Sequence, residues 1–148
     1  MTLLDILDKD LIKVPLLSTN KIDLVNELLE VYRAKNDIPY DSFNTLKNAI
    51  LEREVQAPTA MENGIAIPHA KVPGLEKAAV IIGVSRLGID FGADEKSKVF
   101  FMVLAPTDKP SEHIQLLASI AKLCSSPVLS RMLQGVKTKD ELYQLLMD

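Results

Sequence analysis

The sequence predicts an α/β fold built as a single domain over residues 1–148. Residues 21–35 carry apolar side chains at helical spacing. Residues 98–105, KVFFMVLA, form a near-continuous apolar run, which suits a strand buried on both faces. Helical stretches and short apolar runs alternate along the chain, which is the pattern of an α/β layer architecture.

The elements follow in order. Thr2 is placed to cap a short helix carrying Leu3, Leu4, Ile6 and Leu7. LIKVPLL (11–17) reads as a short strand or edge interrupted by Pro15. Residues 18–20 offer N-caps for a helix from Lys21 to Lys35, with Ile22, Val25, Leu28, Leu29 and Tyr32 on one stripe. Asp41 is the expected cap of a second helix, with Phe43, Leu46, Ile50 and Leu51 inward, which must stop before Pro58. GIAI (64–67) and AAVIIGVS (78–85) are expected strands, and GIDFGAD (88–94) an expected loop before the 98–105 strand. SEHIQLLASIAKLC (111–124) reads as a helix with Pro110 near its first turn and Ile114, Leu117, Ala118 and Ala121 facing in. Ser126-Pro127 opens a further helix ending at Gly135. Thr138 and Glu141 form a capping box for the last helix, which buries Leu142, Leu145 and Leu146.

Composition narrows the function. The chain is 47% hydrophobic and 25% charged with a formal net charge of −3, and its basic residues form no broad face, which argues against nucleic-acid binding. The single cysteine, Cys124, has no internal disulfide partner. The start, MTLLDILDKD, lacks the basic segment of a secretory signal, and no apolar run reaches the roughly 18 residues of a membrane span. The expectation is a cytoplasmic protein with no membrane insertion.

Only two histidines occur, and the first stands in ENGIAIPHAK (62–71). Pro68 has a fixed φ and no N–H, so it aims His69 rigidly at the end of the GIAI strand, where α/β folds tend to place chemistry. Histidines at strand ends also serve as plain turn residues. His113 falls in the first turn of the 111–124 helix, whose free N–H groups and partial positive charge favour an anion. Read alone it is a surface residue beside a serine. Arg53, late in the second helix, offers the planar donor fork that holds phosphate, or else it pairs with Glu52 or Glu54. Thr59 adds a hydroxyl that serves either phosphate or backbone. Together, a nucleophilic imidazole, an arginine, a helix N-terminus and a second imidazole make a set for holding a phosphoryl group on His69. No metal and no nucleotide are required.

NGIAIPHAK, with Arg53-Glu54 upstream and SEHIQLL downstream, resembles the enzyme IIA domain of the bacterial phosphotransferase system, in its fructose/mannitol class, which includes the nitrogen-regulatory IIA proteins. The resemblance runs over nearly the whole chain. It implies a central mixed β-sheet with helices on both faces. It also implies relay of a phosphoryl group that began on phosphoenolpyruvate, delivered by a histidine phosphocarrier protein. His69 matches the active histidine, and Arg53 and His113 match the residues that stabilise the phosphate. The implied acceptor is a IIB component on another chain, or, in regulatory members, the phosphorylation state controls partner proteins. Ala70 stands where the family often has glycine, and Pro58-Thr59 where a Ser-Thr pair is common.

Other sites are weaker. Two histidines and one cysteine without close spacing make no metal site, and no glycine-rich phosphate loop is present. Ile65, Ile67 and Val72 are candidates for an apolar docking rim around His69, or plain core residues.

Overall fold

The computed structural model describes residues 1–148. Its core is a mixed five-stranded sheet made by β1 (Ile12–Lys13), β2 (Ile65–Ala66), β3 (His69–Val72), β4 (Ala79–Ile89) and β5 (Ser97–Pro106). The order is β1-β4-β5-β2, and β3 continues along the same edge of β5. β4 and β5 are antiparallel, whereas β1 runs parallel to β4, and β2 and β3 run parallel to β5.

Six helices cover the sheet: α1 (Leu3–Ile6), α2 (Lys21–Asn36), α3 (Tyr40–Gln56), α4 (Pro110–Cys124), α5 (Pro127–Gln134) and α6 (Lys139–Met147). The two-residue period of a strand assigns them to faces. Phe100, Met102 and Leu104 of β5 point into one core with Leu24, Leu28 and Leu29 of α2 and Leu46 and Ile50 of α3. Val99, Phe101 and Val103 point into the opposite core with Leu116 and Ile120 of α4, Leu133 of α5 and Leu142 of α6. Covered on both sides, β5 has no polar face to show, which is why its sequence is apolar without alternation. This is the α/β class that the sequence predicts, and the mixed sheet flanked by helices that the family resemblance implies.

Caps mark several helix starts. The Asn20 side chain accepts from Asp23 N–H at 2.9 Å, and Thr138 Oγ1 accepts from Glu141 N–H at 3.1 Å. α3 begins one residue before the expected cap, with Pro39 at the N-cap position and Asp41 inside the first turn. A carboxylate there complements the free N–H groups.

Four other expectations need correction. Only Ile12–Lys13 of the 11–17 stretch pairs as a strand, because Pro15 has no N–H for the ladder; pairing resumes where Leu16 N–H donates to Val84 O at 2.8 Å. Ile22 is 54% exposed, the inward stripe of α2 being Leu24, Val25, Leu28, Leu29 and Tyr32. Gly88 and Ile89 belong to β4 rather than to the following loop. The inward face of α4 is His113, Leu116, Ile120 and Cys124, whereas Ile114 is 66% exposed. A reading by apolarity puts Ile114 inside and rotates the helix by one residue; the polar His113 is what occupies the inward position.

Before β2 the chain doubles back. Asn63 and Gly64 both take positive φ, 67° and 75°, a conformation suited to Asn and Gly. Residues 59–61 then pair antiparallel with 65–67: Ala60 bridges Ala66, Met61 N–H donates to Ile65 O at 2.7 Å, and Ile67 N–H donates to Thr59 O at 3.2 Å.

Gly83 of β4 lies against Leu16, and a Cβ there would meet Leu16 Cδ1 at 2.7 Å. Gly83→Ala is therefore expected to lower stability by about 1–3 kcal/mol, the usual cost of overpacking a filled core. Urea unfolding measures it, and an unchanged midpoint would show that Leu16 has room to move.

Candidate functional site

His69 follows the GIAI strand as expected, but instead of lying in a loop or turn it opens a new strand, β3, opposite Val103 of β5. Pro68 breaks the ladder between β2 and β3, yet its carbonyl accepts from Val103 N–H at 2.9 Å, so the chain stays on the sheet. The half-buried His69 ring has Nδ1 2.7 Å from the carbonyl oxygen of Ile67. A carbonyl only accepts, so Nδ1 carries the proton, and in the neutral ring Nε2 holds the lone pair.

α4 starts at Pro110, just past the end of β5, and brings His113 to this place. The two imidazole centroids are 5.6 Å apart with planes at 51°. His113 is buried rather than a surface residue, and its Nδ1 has no hydrogen-bond partner. An unpaired buried N–H costs more than an unpaired acceptor, which puts the proton of neutral His113 on Nε2 as a donor.

Arg53 forms no pair with Glu52 or Glu54. Its Nη1 donates to Ala57 O at 2.9 Å, just past the end of α3, and the guanidinium keeps its remaining donors. Glu54 turns the other way, is 4% exposed, and pairs with Lys21 of α2 at 3.4 Å. No single residue in 53–54 announces this split; it follows from the roughly 100° between neighbours on a helix.

Burial, above all, pushes the His69 imidazolium pKa below its ordinary value. The Ile67 carbonyl opposes this, the Arg53 charge adds to it, and the Glu54 carboxylate opposes it. His113 is lowered likewise by burial, then by His69 and by Lys71 of β3. The two imidazoles thus lie ring to ring, both pushed towards neutrality, and the charge of Arg53 reaches His69. One ring presents a nucleophilic nitrogen and the other groups supply donors, the arrangement that accepts and holds an anionic group.

Four expected contributors are committed elsewhere. Thr59 is buried, and its hydroxyl donates to Glu54 Oε1 at 2.6 Å, so it is committed to the protein rather than free for phosphate. Ile65 and Ile67 lie in the α4 core and Val72 in the α2–α3 core, all nearly inaccessible, so they form no docking rim. Strands covered on both faces bury both of their residue sets. Exposed apolar side chains close in sequence to these residues are Val55, two positions after Arg53, and Ile114, next to His113. Cys124 lies at the far end of α4, and burial pushes its thiol up to about 12, which leaves it unreactive. No three His, Cys, Asp or Glu side chains converge as metal ligands. No single helix is long and apolar enough to cross a membrane.

The family described as "Phosphoenolpyruvate-dependent sugar phosphotransferase system, EIIA 2" matches residues 5–148. The chain belongs to this family. Among curated relatives, it is 36% identical over 98 residues to a PTS system fructose-specific EIIA component of Haloferax volcanii, covering 64% of this chain and 64% of that one. It is 35% identical over 103 residues to a nitrogen regulatory protein of Escherichia coli, covering 68% and 63%. In the fructose-specific EIIABC component of Bacillus subtilis the match, 26% identical, covers 99% of this chain and 23% of the relative. The chain thus spans less than two thirds of the length of these relatives. Among solved structures, the nitrogen regulatory protein IIA-Ntr of Neisseria meningitidis superposes with a TM-score of 0.84 at 22% identity, over 96% and 97% of the two chains. IIA mannitol of Escherichia coli gives 0.76 at 21%, over 95% and 98%. These two establish the fold of an enzyme IIA.

The depressed histidines carry a stability consequence. Unfolded histidines take up protons near pH 6.5, whereas folded His69 and His113 do so only at lower pH. As the pH falls below about 6.5 the unfolded chain binds more protons, and stability declines through the folded values. His113→Gln is expected to make that decline shallower in urea unfolding between pH 7.5 and 5. Equal slopes in both proteins would contradict the burial account of His113.

Proposed function

We propose that this chain is a phosphoryl carrier of the phosphoenolpyruvate-dependent phosphotransferase system, with His69 as its transient acceptor. The observation that carries the reading is the hydrogen bond from His69 Nδ1 to Ile67 O, which reserves Nε2 for attack. Family membership supplies the reaction class. In the forward step Nε2 attacks the phosphorus held on the donor's phosphohistidine. The N–P bond to the donor breaks as the new one forms, and no proton need leave the Nδ1–H tautomer. Arg53 and the His113 Nε2–H supply donors for the charge of the transferring group. Catalysis rests on positioning and charge, with no cofactor and no metal.

The donor is a histidine phosphocarrier protein. The acceptor is a IIB component of a sugar transporter, as the resemblance to the fructose-specific relatives suggests, and the neighbouring Escherichia coli structure of IIA mannitol bound to phosphorylated IIB illustrates such a pairing. The similarity to nitrogen regulatory proteins at nearly equal identity supports a second reading. There the same phosphorylated state controls partner proteins instead of sugar uptake. The site chemistry is common to both.

Incubation with phosphoenolpyruvate, enzyme I and the phosphocarrier should add one acid-labile phosphate by mass, and His69→Ala should add none. Arg53→Ala should slow phosphorylation by roughly 10²–10³-fold, the scale for removing one charge-stabilising donor. Uptake of phosphate by His69→Ala would overturn the assignment. Supplying a IIB component then separates the readings: loss of the phosphate to IIB marks a transport role, and retention marks a regulatory one.

A further inference from the structure

The dipeptide Arg53-Glu54 grips the loop after α3 at two points. Arg53 Nη1 donates to Ala57 O at 2.9 Å. Glu54 is buried, and its two carboxylate oxygens accept from Thr59, Oε2 from the N–H at 2.9 Å and Oε1 from the hydroxyl at 2.6 Å. Lys21 of α2, whose Nζ also lies 4.8 Å from the centre of the Phe91 ring, stands 3.4 Å from the same carboxylate. A buried carboxylate is costly unless its oxygens are satisfied, and these are.

From Thr59 the connection runs on to the nucleophile. Thr59 O accepts Ile67 N–H at 3.2 Å, and Ile67 O accepts His69 Nδ1–H at 2.7 Å. Pro68 O, held by Val103 N–H at 2.9 Å, fixes the other end of that short segment. The carbonyl that selects the His69 tautomer is therefore held from one side by β5 and from the other by Glu54.

We propose that Glu54 is a positioning residue of the phosphoryl-transfer site: through Thr59 it sets the place of the Ile67 carbonyl, and with it the Nδ1–H tautomer and aim of His69. The role rests on the relay reading above. Glu54 touches no reacting atom. It also binds the loop whose Ala57 carbonyl holds Arg53, so one buried carboxylate orders both the nucleophile and its cationic partner.

The test reads the tautomer directly, by ¹⁵N NMR of histidine-labelled full-length protein at neutral pH, together with the phosphorylation rate. Glu54→Ala is expected to move part of His69 into the Nε2–H form and to slow phosphorylation by about tenfold, the net worth of one positioning hydrogen bond. Glu54→Gln keeps one acceptor for the Thr59 N–H and an amide donor for its hydroxyl, so it should restore the wild-type tautomer and most of the rate. Thr59→Val, which removes one of the two bonds, should fall between, and it decides the matter if Glu54→Ala does not fold. A folded Glu54→Ala, or a Thr59→Val in its place, with wild-type tautomer and rate overturns the proposal. So does a Gln variant as impaired as the Ala variant. The tautomer is read without any donor protein. A native His69 that accepts no phosphate would therefore refute the relay, while the spectra still judge the clamp.

Discussion

One hydrogen bond, from His69 Nδ1 to the carbonyl of Ile67, governs what this site can do. An imidazole has two nitrogens of similar basicity, and an acceptor placed on one of them decides which is left to attack. The acceptor here is main chain, and its position is set by the fold. Pro68 lets the strand break without leaving β5, and the Asn63-Gly64 turn brings residues 59–61 back to hold Ile67. The surrounding backbone is arranged around the need to keep one carbonyl still.

Burial does the second part of the work. Both imidazoles are pushed towards neutrality by lost solvation, and Arg53 adds a charge that disfavours protonated His69. An anion arriving in such a place reverses the balance, because a negative charge favours the cationic and donor forms of the same groups. On the proposed reading the unphosphorylated site suits a neutral nucleophile, and the phosphorylated one a phosphate held by Arg53 and His113. On that reading the same residues serve both states, their donors fixed in place before the charge arrives.

Much of this was legible in the sequence. The sheet strands 78–85 and 98–105 declare themselves by apolarity, and the helix caps at Asn20, Ser126 and Thr138 by chemistry. His69 stood out because proline precedes it, and His113 and Arg53 because of their places near helix ends. What escaped was set by tertiary contact. The inward phase of α4 depends on a polar residue, His113, filling an apolar-facing position beside His69, which a hydrophobic pattern penalises. β3 is only four residues long, too short to announce itself, and it is a strand because β5 supplies a parallel ladder for His69–Val72. The sequence offers Glu54 only as one of two possible partners for Arg53, because nothing local shows that Lys21 and Thr59, 33 and 5 residues away, converge on it. The Asn63-Gly64 pair was the one overlooked local signal, a turn dipeptide in front of an apolar run.

The central claim is that the phosphoryl group resides on Nε2 of His69. The direct measurement is ¹⁵N and ³¹P NMR of the phosphorylated, histidine-labelled protein. The account predicts that phosphorylation shifts Nε2 of one ring, that this ring is absent from the His69→Ala spectrum, and that Nδ1 keeps its proton. Phosphorus on Nδ1, or on His113, would contradict it.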